Sequence, residues 1–210
     1  PTPSRRIEIP QGVAVCGRAL AERGGRVFLV GGAVRDAMLG RNVKDYDLEV
    51  FGLSGDAVLS ALAAVARVEP AGDSFPVFKV AGLPGVPGQI DIALPRRDSK
   101  KGPGHRGIDA VADPFMSIEE AARRRDFTIN AMMFDLGTGV IEDPFGGASD
   151  LAGRVLRVVD ETTFGDDPLR ALGPPLTGAS TRVMLRVANS RATMVATEGP
   201  VVDRSMRVRT

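Results

Sequence analysis

A mixed α/β domain, with a small mixed sheet flanked by helices, is the fold class this sequence predicts. Three observations predict it. Short runs rich in apolar β-formers, Val27-Phe-Leu-Val30, Phe75-Pro-Val-Phe-Lys-Val80 and Gln89-Ile-Asp-Ile-Ala-Leu94, recur among stretches of helical period. Their order is not a regular strand-helix-strand series, which argues against a doubly wound parallel sheet. The chain has 210 residues, 43% of them hydrophobic, enough for one domain with a sizeable core and room for a small second unit.

Taken in order, Pro10 sits where a first helical residue often does, and Val13, Val15 and Leu20 give an apolar face that Gly24-Gly25 ends. A strand follows at 26–30, then a short helix from Ala33 to Leu39 closed by Gly40, then a strand near 45–51. Ser54 to Ala66 reads as a helix with Ser54 as N-cap and Val58, Leu59, Leu62 and Val65 on one side. The strands at 75–80 and 89–94 are joined by the turn-rich Gly82-Leu-Pro-Gly-Val-Pro-Gly88. Residues 95–107, basic and without an apolar anchor, read as a mobile loop that closes over a nucleotide, brushes an RNA backbone, or is only a solvated connector. Ser117-Ile-Glu-Glu120 is a capping box opening a helix. Gly137-Thr-Gly139 turns a hairpin between Met133-Phe-Asp-Leu136 and Val140-Ile-Glu-Asp143, and a short helix begins at Asp150 after the turn Asp143-Pro-Phe-Gly-Gly147.

Composition narrows the chemistry. No apolar run approaches the roughly 20 residues that cross a bilayer, and the first residues lack the apolar segment of a secretion signal. Cys16 is the only cysteine and falls within an apolar pattern, so a buried small hydrophobe in a reducing cytoplasm is expected. With His105 the only histidine, carboxylates must carry the chemistry. Net charge is +1, but the six arginines from Gly173 onward, against Glu198 and Asp203, leave residues 1–172 with 21 basic and 24 acidic groups. Any RNA contact must therefore come from local clusters, Arg96-Arg97 with Lys100-Lys101 and Arg106, or Arg123-Arg124-Arg125.

The densest signal is Leu29-Val-Gly31-Gly32-Ala-Val-Arg35-Asp36 followed by Lys44-Asp45-Tyr-Asp47-Leu-Glu49. Asp45 and Asp47, at alternate strand positions, project from one face. Such a pair suits Mg²⁺, which takes few protein carboxylates and keeps positions for water and substrate phosphates. Two such ions can clamp the attacking and leaving oxygens of a nucleotidyl transfer. Gly31 and Gly32 let the backbone approach a triphosphate closely. Asp91, flanked by Ile90 and Ile92, stands alone on the opposite face of its strand. Two placements are open for it: beside Asp45 and Asp47 as a third carboxylate, or on the solvated face of an edge strand. Arg123-Arg124-Arg125-Asp126 is either a helix end with one arginine paired to the aspartate, or the source of a guanidinium that holds a triphosphate.

Five motifs, Gly31-Gly-Ala-Val-Arg-Asp36, Asp45-Tyr-Asp47, Arg124-Arg-Asp-Phe-Thr-Ile-Asn-Ala-Met132, Asp143-Pro-Phe-Gly-Gly147 and Phe164-Gly-Asp-Asp-Pro-Leu-Arg170, resemble in order and kind the bacterial tRNA nucleotidyltransferase and poly(A) polymerase family over residues 26–172. The resemblance implies a DNA polymerase β-like head domain that adds nucleotides to RNA 3′ ends without a template. It implies Mg²⁺ as cofactor, CTP and ATP as substrates, and the tRNA 3′ end as partner. Carried over by position, Asp45 and Asp47 are the metal-binding catalytic pair, Gly32 and Arg35 contact the triphosphate, and Arg125 contacts the nucleotide. Asp167 and Arg170 match the pair that reads the base edge in place of a template; by spacing alone they are equally an ordinary intrahelical i,i+3 pair.

The resulting organisation is a helical lead-in at 1–25, a nucleotidyltransferase head at 26–150, the start of a neck at 151–172 and an atypical tail at 173–210. Gly173 replaces the arginine with which the family's neck continues, and Pro174-Pro175 stops the helix. The last 38 residues contain no aromatic residue and no evident amphipathic helix, so local packing or disorder is expected there. Three functions compete: CCA addition or repair, poly(A) polymerisation, and a non-catalytic nucleotide-binding role.

Overall fold

The first helix, α1, spans Gln11–Ala21, with Pro10 at the N-cap rather than at the first helical position. It belongs to a computed structural model that describes residues 7–71, 77–100, 108–160, 182–187 and 190–195. Val13, Cys16 and Leu20 leave α1 on one side, all fully buried. After it come β1 (Arg26–Val30), α2 (Gly32–Met38), β2 (Tyr46–Phe51) and α3 (Gly55–Ala63). Ser54 caps α3 by accepting from the Ala57 N–H at 3.3 Å. Val58 and Leu62 are buried as expected, but α3 ends at Ala63, so Val65 lies beyond it and is exposed.

Next are β3 (Arg67–Ala71), β4 (Val77–Ala81) and β5 (Gln89–Ala93). The basic segment expected to be a loop instead begins with β6 (Arg96–Lys100), which pairs antiparallel with β7 (Ile108–Ala112). Residues 101–107 between them lie outside the described residues. The capping box at Ser117 and Glu120 is present and opens α4 (Ile118–Arg123), and a 3-10 turn at Thr128–Asn130 leads to β8 (Met133–Asp135) and β9 (Ile141–Glu142). The next helix, α5 (Gly147–Ala152), starts three residues before Asp150, because the Asp143 carboxylate caps the Gly147 and Ala148 N–H groups at 2.7 and 2.9 Å. Last come β10 (Leu156–Arg157), β11 (Arg182–Val187) and β12 (Ser190–Val195). These form a three-stranded sheet of their own, so part of the tail is a β-hairpin.

The main sheet is mixed and seven-stranded, in the order β3-β4-β5-β2-β1-β8-β9. Only β2 and β5 pair in parallel; the other neighbours are antiparallel. One face carries Val27, Leu29, Leu48, Val50, Phe78, Val80, Ile90 and Ile92 into the principal core, shared with α1 and α3. The helical lead-in thus contributes to the same core as the sheet. Full burial of each aliphatic side chain there stabilises by about 1.5–3 kcal/mol. The other face is divided. Under α4, Phe28, Val30, Phe51 and Met133 pack with Met116, Ala121, Ala122 and Ala131. Phe28 and Phe51 meet edge to face, with ring centroids 5.4 Å apart. Toward β2, β5 and β4 this face becomes polar.

Candidate active site

The polar part of the sheet is a row of facing side chains. In the parallel ladder Asp47 stands opposite Asp91, and in the antiparallel ladder beyond it Asp91 stands opposite Lys79. On the other side Asp47 is opposite Val30, the last residue before the Gly31-Gly32 bend. Ile90 and Ile92 are both fully buried on the far face, so Asp91 is turned toward Asp47. Its strand is internal, with β4 and β2 on either side, which removes the edge-strand placement. Asp45 lies just before β2, and both Asp45 and Asp47 keep access to solvent. The crowd of protein around the Asp47 carboxyl pushes its pKa up; the Asp91 carboxylate adds to the rise, Arg125 opposes it, and Asp45 adds further. Negative charge is therefore concentrated where the Arg125 guanidinium only partly offsets it.

Beside this row, the two glycines and two arginines meet. Gly31 has φ +71° and ψ −139°, a conformation suited to glycine, and a Cβ placed on it would lie 3.4 Å from Arg125 Nη1. A Cβ on Gly32 would lie 3.3 Å from Arg35 Nη2. Arg35 is buried and donates from Nε to Asp36 at 2.9 Å and from Nη1 to Asn130 at 2.7 Å. Asn130 in turn donates to Asp126 at 3.0 Å. The Gly-Gly motif and the Arg-Arg-Asp motif are thereby tied into one unit. Arg35 acts first as a brace, with Nη2 the part of it nearest the bend.

The arginine run does not end in a pair with Asp126. That carboxylate accepts from the Phe127 N–H and from Asn130. Arg124 and Arg125 each donate from Nη2 at 3.1 Å to a different oxygen of Glu49, which is only 3% exposed, while Arg123 pairs with Glu119 on its own helix. Glu49 is the residue that local reasoning missed. Its signal was in view: it continues the alternation of Asp45 and Asp47, but Leu48 and Val50 on either side bury their strand. Arg125 Nε is buried without a hydrogen-bond partner among the described residues, a donor that an incoming anion can take.

Asp45, Asp47, Asp91, Gly31, Gly32, Arg35 and Arg125 are thus gathered at one end of β1, β2 and β5. Asp167 and Arg170 lie outside the described residues. Among the described residues no three His, Cys, Asp or Glu side chains form a ready metal cage. A partial site is nevertheless what a hard divalent cation shared with a polyphosphate requires, because it takes one or two carboxylates and completes its shell from substrate and water. The charge crowding at Asp47 fits such an ion. No helix among the described residues is long and apolar enough to cross a membrane.

Residues 27–157 match the family model described as the poly(A) polymerase head domain. The multifunctional CCA protein of Xanthomonas campestris pv. campestris is 44% identical over 147 residues, covering 70% of this chain and 33% of that protein. The protein of the same name from Vibrio vulnificus is 42% identical over 146 residues, with coverage of 70% and 33%. The chain therefore spans about a third of the length of the curated relatives it matches. Among solved structures, the Thermotoga maritima CCA-adding enzyme complexed with tRNA superposes with a TM-score of 0.58 at 32% identity, over 76% of this chain and 34% of that one. The Bacillus stearothermophilus CCA-adding enzyme in complex with CTP gives 0.60 at 29% identity, over 77% and 37%.

Proposed function

Because the chain belongs to the poly(A) polymerase head-domain family, we propose that it is a template-independent nucleotidyltransferase that adds CMP and AMP to the 3′ end of tRNA. The observation that carries this reading is the register of Asp47 against Asp91, with Asp45 alongside and the Gly31-Arg125 contact at the end of the same row. The family's chemistry generally depends on a divalent metal; we assign Mg²⁺ here, with CTP and ATP as the nucleotides and the cytoplasm as the setting.

Asp45 and Asp47 would hold the metal. When bound, it would supply positive charge to the triphosphate oxygens and acidify the attacking 3′-hydroxyl. Asp91, one strand away from Asp47, is placed to accept the proton of that hydroxyl. Gly31 and Gly32 let the backbone approach the β- and γ-phosphates, and Arg125 offers Nη1 and Nε to the same anion. Arg35, clamped by Asp36 and Asn130, keeps the bend in place and turns Nη2 toward it. Most of the catalysis is positioning and electrostatic preorganisation. By family position, Asp167 and Arg170 select the base: the carboxylate accepts and the guanidinium donates, so small rotations let the pair complement cytosine or adenine.

The test is incubation of the protein with Mg²⁺, labelled CTP or ATP, and tRNA lacking its terminal CCA, followed by sequencing of the 3′ ends. Ordered addition of C, C and A supports the proposal. A run of A residues identifies a poly(A) polymerase instead, and nucleotide binding without incorporation identifies a non-catalytic role.

A further inference from the structure

Lys79 follows Asp91 in the row and is not used by the chemistry above; beyond it, on the edge strand β3, stands Glu69, which accepts from Arg67 Nη2 at 2.8 Å. On β4 it is flanked by Phe78 and Val80, which are buried at 3% and 0% in the principal core, so its side chain belongs to the polar face. It stands directly opposite Asp91. Cross-strand lysine and aspartate are well placed to pair, yet Lys79 has no ion-pair or hydrogen-bond partner among the described residues. Asp91 accepts from Gln89 Nε2 at 3.2 Å instead. A half-buried lysine is thus left beside the acidic row with its donors uncommitted.

The row also has a direction. On its β1 side lie Gly31 and Arg125, the groups suited to a polyphosphate, and on its β4 side lies Lys79, with Glu69 beyond it already paired to Arg67. In an in-line displacement the attacking and leaving oxygens lie on opposite sides of phosphorus. With the departing pyrophosphate at the β1 end, the attacking hydroxyl must approach from the β5 and β4 side. A terminal ribose that offers its 3′-hydroxyl near Asp91 carries its own phosphodiester one sugar further out, toward β4. We infer that Lys79 binds the terminal phosphodiester of the acceptor RNA, so that the anion-binding groups of the two substrates sit on opposite sides of the Asp47–Asp91 pair. This rests on the transferase reading above. Lysine suits the task, being a flexible point charge that can follow a strand end.

Periodate oxidation of the acceptor tRNA converts its terminal ribose to a dialdehyde, which forms an imine with a nearby lysine amine by loss of water; borohydride then fixes the adduct. The chain has only four lysines, Lys44, Lys79, Lys100 and Lys101, so peptide mapping of the adduct is decisive. The expected adduct is on Lys79, is competed by unmodified tRNA, and is lost in Lys79→Arg. In steady-state assays Lys79→Ala raises the KM for tRNA about tenfold and leaves the KM for CTP unchanged, and Lys79→Arg restores the tRNA KM. The salt dependence of tRNA binding loses about 0.7 of a logarithmic slope unit, the value for one phosphate contact on a single strand. An adduct on Lys44, Lys100 or Lys101 with Lys79 unmodified overturns the inference, as does an unchanged tRNA KM in a protein that transfers nucleotides normally. Failure of the wild-type protein to transfer at all, with the adduct still on Lys79, sinks the transferase reading and leaves the RNA-end assignment standing.

Discussion

Replacing Glu49 by Gln removes one charge from the centre of the arginine cluster with almost no change of shape. The Glu49 side chain is 4% exposed and the two guanidinia that bracket it are each 22% exposed. Each contact is a charge-assisted hydrogen bond of 3.1 Å, a kind worth about 1.5–3 kcal/mol. Removing one partner of a fully buried ion pair costs about 3–5 kcal/mol, and the partial exposure of the arginines brings the expectation to about 2–3 kcal/mol. For a chain of this length that is a fall in Tm of about 4–12 °C. Function should change in a specific way. Arg125 loses the contact that holds Nη2 while Nη1 lies against Gly31, so the KM for CTP should rise about tenfold, equivalent to about 1.4 kcal/mol, with the KM for tRNA unchanged. Thermal unfolding by circular dichroism and steady-state incorporation read the two effects separately. A Glu49→Gln protein that melts with the wild type, or that keeps its CTP KM, would show that Glu49 does not position the arginines.

Asp47→Asn should abolish transfer and raise the Tm at neutral pH. The folded carboxyl has its pKa above the unfolded value, so its contribution to stability is present at low pH and is lost as pH rises through the folded pKa; an amide escapes that loss. A lower Tm at pH 7 contradicts this. For the same reason the Asp47 carboxyl of the metal-free protein should titrate above the usual aspartate range and shift down when Asp91 is replaced by Asn, as NMR titration of the carboxyl carbon will show. Gly31→Ala should cost roughly 1–3 kcal/mol from its backbone conformation and should weaken CTP binding, because the new methyl group crowds Arg125; urea unfolding and calorimetric titration measure the two. Cys16, fully buried with its thiol pushed up to about 11 by burial, should resist alkylation at pH 8 in the folded protein and react promptly in urea, and equal rates in both states would contradict its place in the core.

Much of this arrangement could be read along the chain. β1 and the strand bearing Asp91 stood out because their apolar residues belong to internal strands, and the capping box at Ser117 declares itself locally. β3 did not, since Arg-Val-Glu-Pro-Ala has few β-formers and contains Pro70, which a strand at the end of a sheet can accommodate. β6 is polar throughout and reads as loop; its pairing with β7 supplies the order that its side chains do not advertise. Within the site, the step from Asp45 and Asp47 to Asp91 required the parallel pairing of β2 with β5, which no local pattern encodes. Glu49 was missed for a related reason. Asp126 is adjacent to Arg125 in sequence, whereas Glu49 is 76 residues away and reaches it only once β2 and α4 have packed.

The central claim, that the carboxylates at 45 and 47 hold a divalent cation together with a nucleoside triphosphate, is tested most directly by electron paramagnetic resonance with Mn²⁺ in place of Mg²⁺. In the presence of a non-hydrolysable CTP analogue, the wild-type protein should retain more bound Mn²⁺ than the analogue alone accounts for, and Asp45→Asn with Asp47→Asn should lose that excess while keeping a wild-type circular dichroism spectrum. Equal Mn²⁺ binding by the wild type and the folded double variant would contradict the account.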